Sequence, residues 1–446
     1  MQWLIAVPFG ILTPWKNLRA CHLALGLSLV VTRPAFAQAP TAAPAAGSRT
    51  WSIDRSLSLA TGADLIGTAT TELATIIDRT PGWAKRHPLL GISGRIARGI
   101  FVDHPVAVFM AVFQHEAFGH GGRAREFGSA ATFTLGWPWT TPTLFKGATR
   151  FGAGASFESA GLSPTQFMKI YAGGVESNGL AATRATRDLV AGRPLRTMEF
   201  LYLVRSRLYV TQYTVGHTPD PAKDPARFSN EAHGGDLATY LGYLSTSYTG
   251  SPGFTIDAAS PLIVDNYAHI RRQAIANALD PAIWLSAWTI GRQIVNGDEP
   301  LGIPMVHAAG RRWLPMVSSQ WLTDGGVLSL EIITASDRAN VASPWSSLVF
   351  RSGHGPGGQI WNAGVGAEQA YSWRSVRLGG EVEVWRQPSF GSGGGVKATM
   401  TVSSGALAGL QLELGAKAAG DWPGRPAVSG PFVRIGYRLD ARRQSP

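Results

Sequence analysis

Residues 115–120 read His115-Glu116-Ala117-Phe118-Gly119-His120, two imidazoles and a carboxylate inside one short segment. Imidazole is the commonest metal ligand, and a carboxylate beside it is suited to take a proton from water. Those residue types point to metal-assisted hydrolysis. In the common zinc-peptidase motif the histidines are four apart on one helical face, with the glutamate next to the first. Here they are five apart. At about 100° per residue a regular helix would turn the two rings roughly 140° away from each other. Both can reach one ion only if the turn is widened by one residue, a π-bulge of the kind found mostly at functional sites. Gly119 is the residue that tolerates that distortion. The plainer alternative is a pair of helix-end histidines favoured by the helix dipole, with Gly121 and Gly122 ending the helix.

His-Glu-x-x-Gly-His, glycine included, resembles the motif of the dipeptidyl-peptidase III family of zinc exopeptidases. The resemblance covers the six residues of the motif. It implies that His115 and His120 bind zinc, that Glu116 activates water, and that a glutamate downstream on another helix completes the site.

The candidate for that third ligand is Glu176, in Ala172-Gly173-Gly174-Val175-Glu176-Ser177-Asn178. Two adjacent glycines in a helix interior cost about 1 kcal/mol each. Close approach of another helix or of a ligand justifies them. A carboxylate beside such a contact is placed to reach an ion on the helix of His115, completing three protein ligands and an open position for water. The alternative is a solvated or capping acid. An oxyanion formed at this site needs a donor. His233 is the first choice, with Asp236 to orient its ring, and Tyr240 and Arg123 are weaker ones. Arg123, Arg125 and Glu126 otherwise read as a network of surface charges.

These side chains need elements to hold them. Asp103-His104-Pro105 opens the motif helix. Ser163-Pro164-Thr165-Gln166 opens a second, with Ser163 as N-cap and Gln166 completing a capping box, running to about Val190. Met198–Tyr213 and Asp265–Asn296 are further helical runs, the latter broken at Asp280-Pro281, and the prolines of 217–229 predict a loop. From about residue 312 the period changes to two. Val396, Ala398, Met400 and Val402 alternate with polar residues, as do Leu410, Leu412 and Leu414, and Val433, Ile435 and Tyr437. Gly391–Gly395 and Gly405 read as hairpin joints. The expected fold class is therefore α+β, with a helical metal-site domain over 51–305 and an antiparallel β domain over 306–440. Two architectures fit those strands: an outer-membrane barrel, apolar outside and polar within, or a soluble sheet whose apolar face packs on the helices.

The first 37 residues carry Lys16 and Arg19, an apolar run from Leu23 to Val31, and the small-x-small site Ala35-Phe36-Ala37. This is the order of a secretory signal peptide. Residues 38–50 then read as an Ala/Pro-rich leader and 441–446 as a tail. The single cysteine, Cys21, lies in the signal, so the mature chain offers no thiolate and must bind metal through His, Asp or Glu. Without Lys16, Arg19 and Arg33 the formal net charge is three units lower, +8 in place of +11, and scattered, with no basic tract of the kind that binds nucleic acid. No other uninterrupted apolar run reaches the length of a membrane-spanning helix. No Gly-rich phosphate loop and no Gly-x-Ser-x-Gly elbow occurs. The sequence thus predicts an exported zinc hydrolase of the periplasm or outer membrane, first of all a metallopeptidase, with Glu116 as base and a peptide or envelope-derived substrate. Its rivals are a zinc amidase or esterase acting on envelope material, and a non-catalytic envelope β-protein with structural histidines.

Overall fold

The computed structural model describes residues 49–78, 88–136, 153–251, 254, 256–297, 302–337 and 344–439. The signal segment, residues 38–48 of the Ala/Pro-rich leader and the tail 441–446 lie outside the described residues. Helices occupy the N-terminal part and a ten-stranded antiparallel sheet the C-terminal part. The described residues form one compact unit.

The helices begin where side chains satisfy their first N–H groups. Ser58 caps α1 (Leu59–Ile77). The motif run comprises α2 (Pro88–Arg98), a π segment (Gly99–Asp103), α3 (His104–Phe113), a second π segment (Gln114–His120) and α4 (Gly121–Glu126). Contrary to the expectation from the sequence, its stretch Leu89–Glu126 is long and apolar enough to cross a membrane, a property that core helices share. The capping box on α5 (Pro164–Val190) is present as expected: the Gln166 N–H donates to Ser163 Oγ and the Ser163 N–H to Gln166 Oε1. After α6 (Thr197–Thr211) a π segment continues to His217. The loop expected over 217–229 is shorter, because Asp224 caps α7 (Pro225–Glu231) with Pro225 in its first turn, where a missing N–H costs nothing. Next come α8 (Asp236–Thr249), α9 (Pro261–Ala274) and α10 (Pro281–Asn296), the last two separated by a 3₁₀ turn that ends at Asp280-Pro281. A short hairpin, β2 (Ala131–Leu135) with β3 (Ala153–Phe157), lies among the helices.

The large sheet is a meander of β4 (Val306–Ala308), β5 (Arg311–Leu322), β6 (Gly325–Ser336), β7 (Trp345–Gly355), β8 (Gly358–Trp373), β9 (Val376–Gln387), β10 (Gly391–Val402), β11 (Leu410–Lys417) and β12 (Gly430–Leu439). Gly391 and Gly405 have positive φ at the predicted joints. One further strand, β1 (Arg49–Ile53), pairs antiparallel with β12 and forms the opposite edge. The period-two reading had no signal for so short a strand at the start of the helical part.

Neither expected architecture is reproduced. The sheet is not closed into a barrel, since β4 and β1 are its two edges. Nor does one apolar face pack on the helices throughout: Leu314, Met316, Ile333 and Ala335 of β5 and β6 are buried with Leu189, Leu203 and Ile290, whereas Leu348, Val365, Val382, Val396, Leu414 and Ile435 are exposed. From β7 to β12 the polar face is the covered one. There Glu381 meets Arg187 of α5, Lys397 and Arg425, while Glu413 meets Lys397, Arg425 and Arg434. Glu331 pairs with Arg187 at 2.7 Å. Charges taken out of water require partners of this kind.

Candidate metal centre

The π segment does what the odd histidine spacing demands. Its turn is wide enough for the Gly121 N–H to donate to the carbonyl of Glu116, five residues back. Both imidazoles thereby point to one side, and His115 and His120 approach to 3.1 Å between their Nε2 atoms. The segment crosses α5 at the glycines singled out in the sequence. A Cβ on Gly119 would lie 2.5 Å from Gly174 Cα, so backbone touches backbone there.

The carboxylate that joins the histidines is Asp236, at the start of α8. Its Oδ2 lies 2.8 Å from His115 Nε2 and its Oδ1 3.3 Å from His120 Nε2. Among the described residues these three form the group of His, Asp or Glu side chains able to hold a metal ion. All are buried, His115 completely.

The other ring nitrogens are tied down. Asn178 Nδ2 donates to the Ala111 carbonyl at 2.9 Å, which turns Asn178 Oδ1 towards His115 and makes His115 Nδ1–H its donor at 2.9 Å. His120 Nδ1–H donates to the Ile170 carbonyl at 2.7 Å. Both Nε2 lone pairs therefore face Asp236, the tautomer that metal-binding histidines adopt when the second nitrogen is held by a neighbour. Three acceptors at 2.8–3.3 Å repel one another unless a cation stands between them. Ligands at 2.0–2.1 Å from a tetrahedral zinc lie roughly 3.3 Å apart, so the spacing suits such an ion. A proton can play the same part. Burial opposes a charged His120, but the Asp236 carboxylate, with Glu116 adding to it, outweighs burial and holds the imidazole at about 9. Burial likewise pushes Asp236 up, and the two histidines overcome it and keep the carboxyl well below its ordinary range.

Tyr209 and Tyr213 stack on His115, with ring centroids at 4.6 and 5.5 Å. The Tyr213 hydroxyl is 3.5 Å from His115 Nε2 and close to the Asp236 carboxylate. Burial, then the negative charge of Asp236, pushes the Tyr213 phenol well above its ordinary value, so it is a lasting O–H donor at the site. Glu116 is buried and close enough to act electrostatically on both His120 and Tyr213. Among the described residues no lysine or arginine pairs with it.

The remaining sequence candidates lie elsewhere. Glu176 does not face the histidines. Both its oxygens accept from Arg123 Nη2, at 2.6 and 2.7 Å, and Oε1 also accepts from the Gly424 N–H. Arg123 is buried rather than a surface charge, and its Nη1 reaches Glu126 and the Arg425 carbonyl. His233 is exposed on the turn after α7, apart from the His115–His120–Asp236 group. Asp236, expected to orient that ring, stands with the other two histidines instead. Tyr240 is buried, donates to the Leu322 carbonyl and stacks on Trp321. No spacing rule ties Asp236 or Tyr213 to the histidine motif. The one available sign was a carboxylate in the first turn of a helix, after Gly234-Gly235.

No protein-family model, no curated protein and no solved structure matches this chain.

Gly174 offers a direct test of the crossing. A Cβ there would lie 2.5 Å from His115 Nε2 and 2.6 Å from His120 Nε2. Gly174→Ala is expected to weaken metal binding by at least the roughly 10–100-fold that loss of second-layer support costs. Competition with a chelator measures this. Gly179→Ala on the same helix, where a Cβ meets only Gln320 Nε2 at 3.7 Å, should leave affinity unchanged.

Proposed function

We propose that this chain is a zinc-dependent hydrolase, in the first place a metallopeptidase, with His115, His120 and Asp236 as the metal ligands. The observation that carries the reading is the convergence of two Nε2 lone pairs and a carboxylate, all buried, on a π-bulged helix with a glutamate beside the first histidine. Bound there, zinc would supply Lewis acidity, lowering the pKa of a water and polarising a carbonyl. Glu116 takes the proton of the attacking water and returns it to the leaving group. The Tyr213 hydroxyl, 3.5 Å from His115 Nε2, takes the oxyanion role expected of His233. Asn178 and the Ile170 carbonyl keep both imidazoles in the ligating tautomer.

The same groups would cleave an amide or ester of envelope material. The exposed apolar face of the sheet supports that second reading, since such a face suits lipid-rich surroundings.

The test is elemental analysis of the full chain together with a substrate panel. About one zinc per chain is expected for the wild type, and none for His115→Ala/His120→Ala. Glu116→Gln should keep its metal and lose roughly 10²–10⁴-fold in turnover. If wild type stays metal-free after zinc soaking, the hydrolase reading is abandoned for a non-catalytic envelope protein.

A further inference from the structure

Soluble sheets turn their apolar side to the core. Here the outward face is apolar across β6 to β12, and from β7 to β12 the inward face is largely polar. Along one cross-strand row Leu348, Val365, Val382, Val396 and Ala416 stand side by side and face outward. On the other face of these strands and of β6, Glu331, Arg351, Glu383, Lys397 and Glu413 are turned inward into ion pairs. Large apolar side chains are commonly exposed singly, but a contiguous band of this size marks an interface.

The band has rims. Tyr371 and Trp373 end β8, and Tyr437 stands opposite Trp51 on the β12–β1 pair at the same end. Arg374 lies over the Trp373 ring at this rim. At the other end Trp361 and Arg386 are cross-strand partners. Seven strands at about 4.8 Å spacing make the band roughly 30 Å wide. The helices beside β5 add further exposed apolar side chains: α10 packs on β5 and exposes Trp284 and Trp288, while α2, in contact with α10, exposes Leu89 and Leu90. At the other edge α1 packs against β1.

We infer that this outward face is seated in the acyl interior of a lipid bilayer. The ground is charge complementarity. An uncharged band bordered by aromatic and basic side chains matches an uncharged hydrocarbon layer between anionic headgroups. A second copy of the chain fits less well, because a two-fold contact over the sheet would leave Trp284, Trp288, Leu89 and Leu90 on α10 and α2 uncovered. The inference stands apart from the hydrolase reading, and metal-site variants should behave as wild type in its test.

The experiment is flotation of the purified full chain with phosphatidylethanolamine/phosphatidylglycerol vesicles, washed with high salt and alkaline carbonate. Wild type is expected to float and resist both washes. Leu348→Lys and Val382→Lys, at exposed positions that a water-facing surface would tolerate, should each lower partitioning by at least about 30-fold. A second measurement does not depend on how the lysine variants fold. Since Cys21 is the only cysteine, a polarity-sensitive dye on Val382→Cys and one on Arg386→Cys can be compared in a Cys21→Ser chain. Vesicles should shift the first strongly towards an apolar environment and the second weakly. The inference is overturned if the chain is monodisperse without detergent and stays with the buffer. It is equally overturned by a dimer that Val382→Lys splits, or by a dye at 382 that does not respond to lipid.

Discussion

Asp236→Ala should bind zinc more weakly than wild type by more than the roughly 100-fold upper end of losses from outer-shell changes. The expectation follows from position. Asp236 reaches both His115 and His120, at 2.8 and 3.3 Å, and no other acidic side chain among the described residues joins that group. Removing it leaves two neutral imidazoles, too few for a stable tetrahedral site. Glu176→Gln is the matched comparison, since the sequence favours Glu176 as ligand whereas its oxygens are taken by Arg123 and Gly424. Metal per folded chain should be unchanged in that variant. Titration with a chromogenic chelator decides between them. Equal losses in both variants, or a larger loss in Glu176→Gln, would discard the assignment of Asp236.

The largest expected loss of stability comes from Arg123→Ala. Arg123 is 4% exposed and stands between the buried carboxylates of Glu176 and Glu126, while also donating to the Arg425 carbonyl. Its removal strands two carboxylates in a site that water does not reach freely. Breaking a buried pair on one side typically costs about 3–5 kcal/mol, because the partner charge stays behind. Chemical denaturation should show that loss without a change in the metal ligands themselves. Arg123→Met combined with Glu176→Gln and Glu126→Gln should recover most of it, as replacing a whole buried ion network is often close to neutral. If the triple variant is as unstable as Arg123→Ala, the cost lies in packing and not in the stranded charge.

How far the sequence reaches can be judged from particular residues. The π distortion was legible, because five-residue spacing and Gly119 leave one geometry in which both rings face the same ion. The capping box at Ser163 and the break at Asp280-Pro281 were legible for the same kind of reason: each is local, and backbone hydrogen bonding decides it. Gly173-Gly174 announced a close approach correctly, yet the neighbouring acid was a misleading choice. Glu176 lies two residues beyond Gly174, on a part of α5 that faces Arg123, whereas the needed carboxylate arrives from α8, more than a hundred residues after the motif. Nothing in a single sequence records that pairing. The sheet repeated the lesson. Alternation of Val396, Ala398 and Met400 with polar neighbours located the strands, but period two says only that two faces differ. The polar side met the helices through Arg187 of α5, which reaches Glu331 and Glu381, and through Arg434 of β12, which reaches Asp64 of α1.

The pairing of β1 with β12 carries a consequence for how the molecule is assembled. Trp51 lies against Tyr437, so residues from opposite ends of the described chain share one ladder. Contacts of such long separation form late, after the entropy of closing the intervening loop has been met. The meander from β4 to β12 can zip from neighbour to neighbour, but its last edge stays open until the opening strand returns to it. Until then β12 offers a free row of donors and acceptors to any other chain. A molecule whose two ends must meet before its sheet is complete is exposed longest at that edge, and aggregation during refolding should start there.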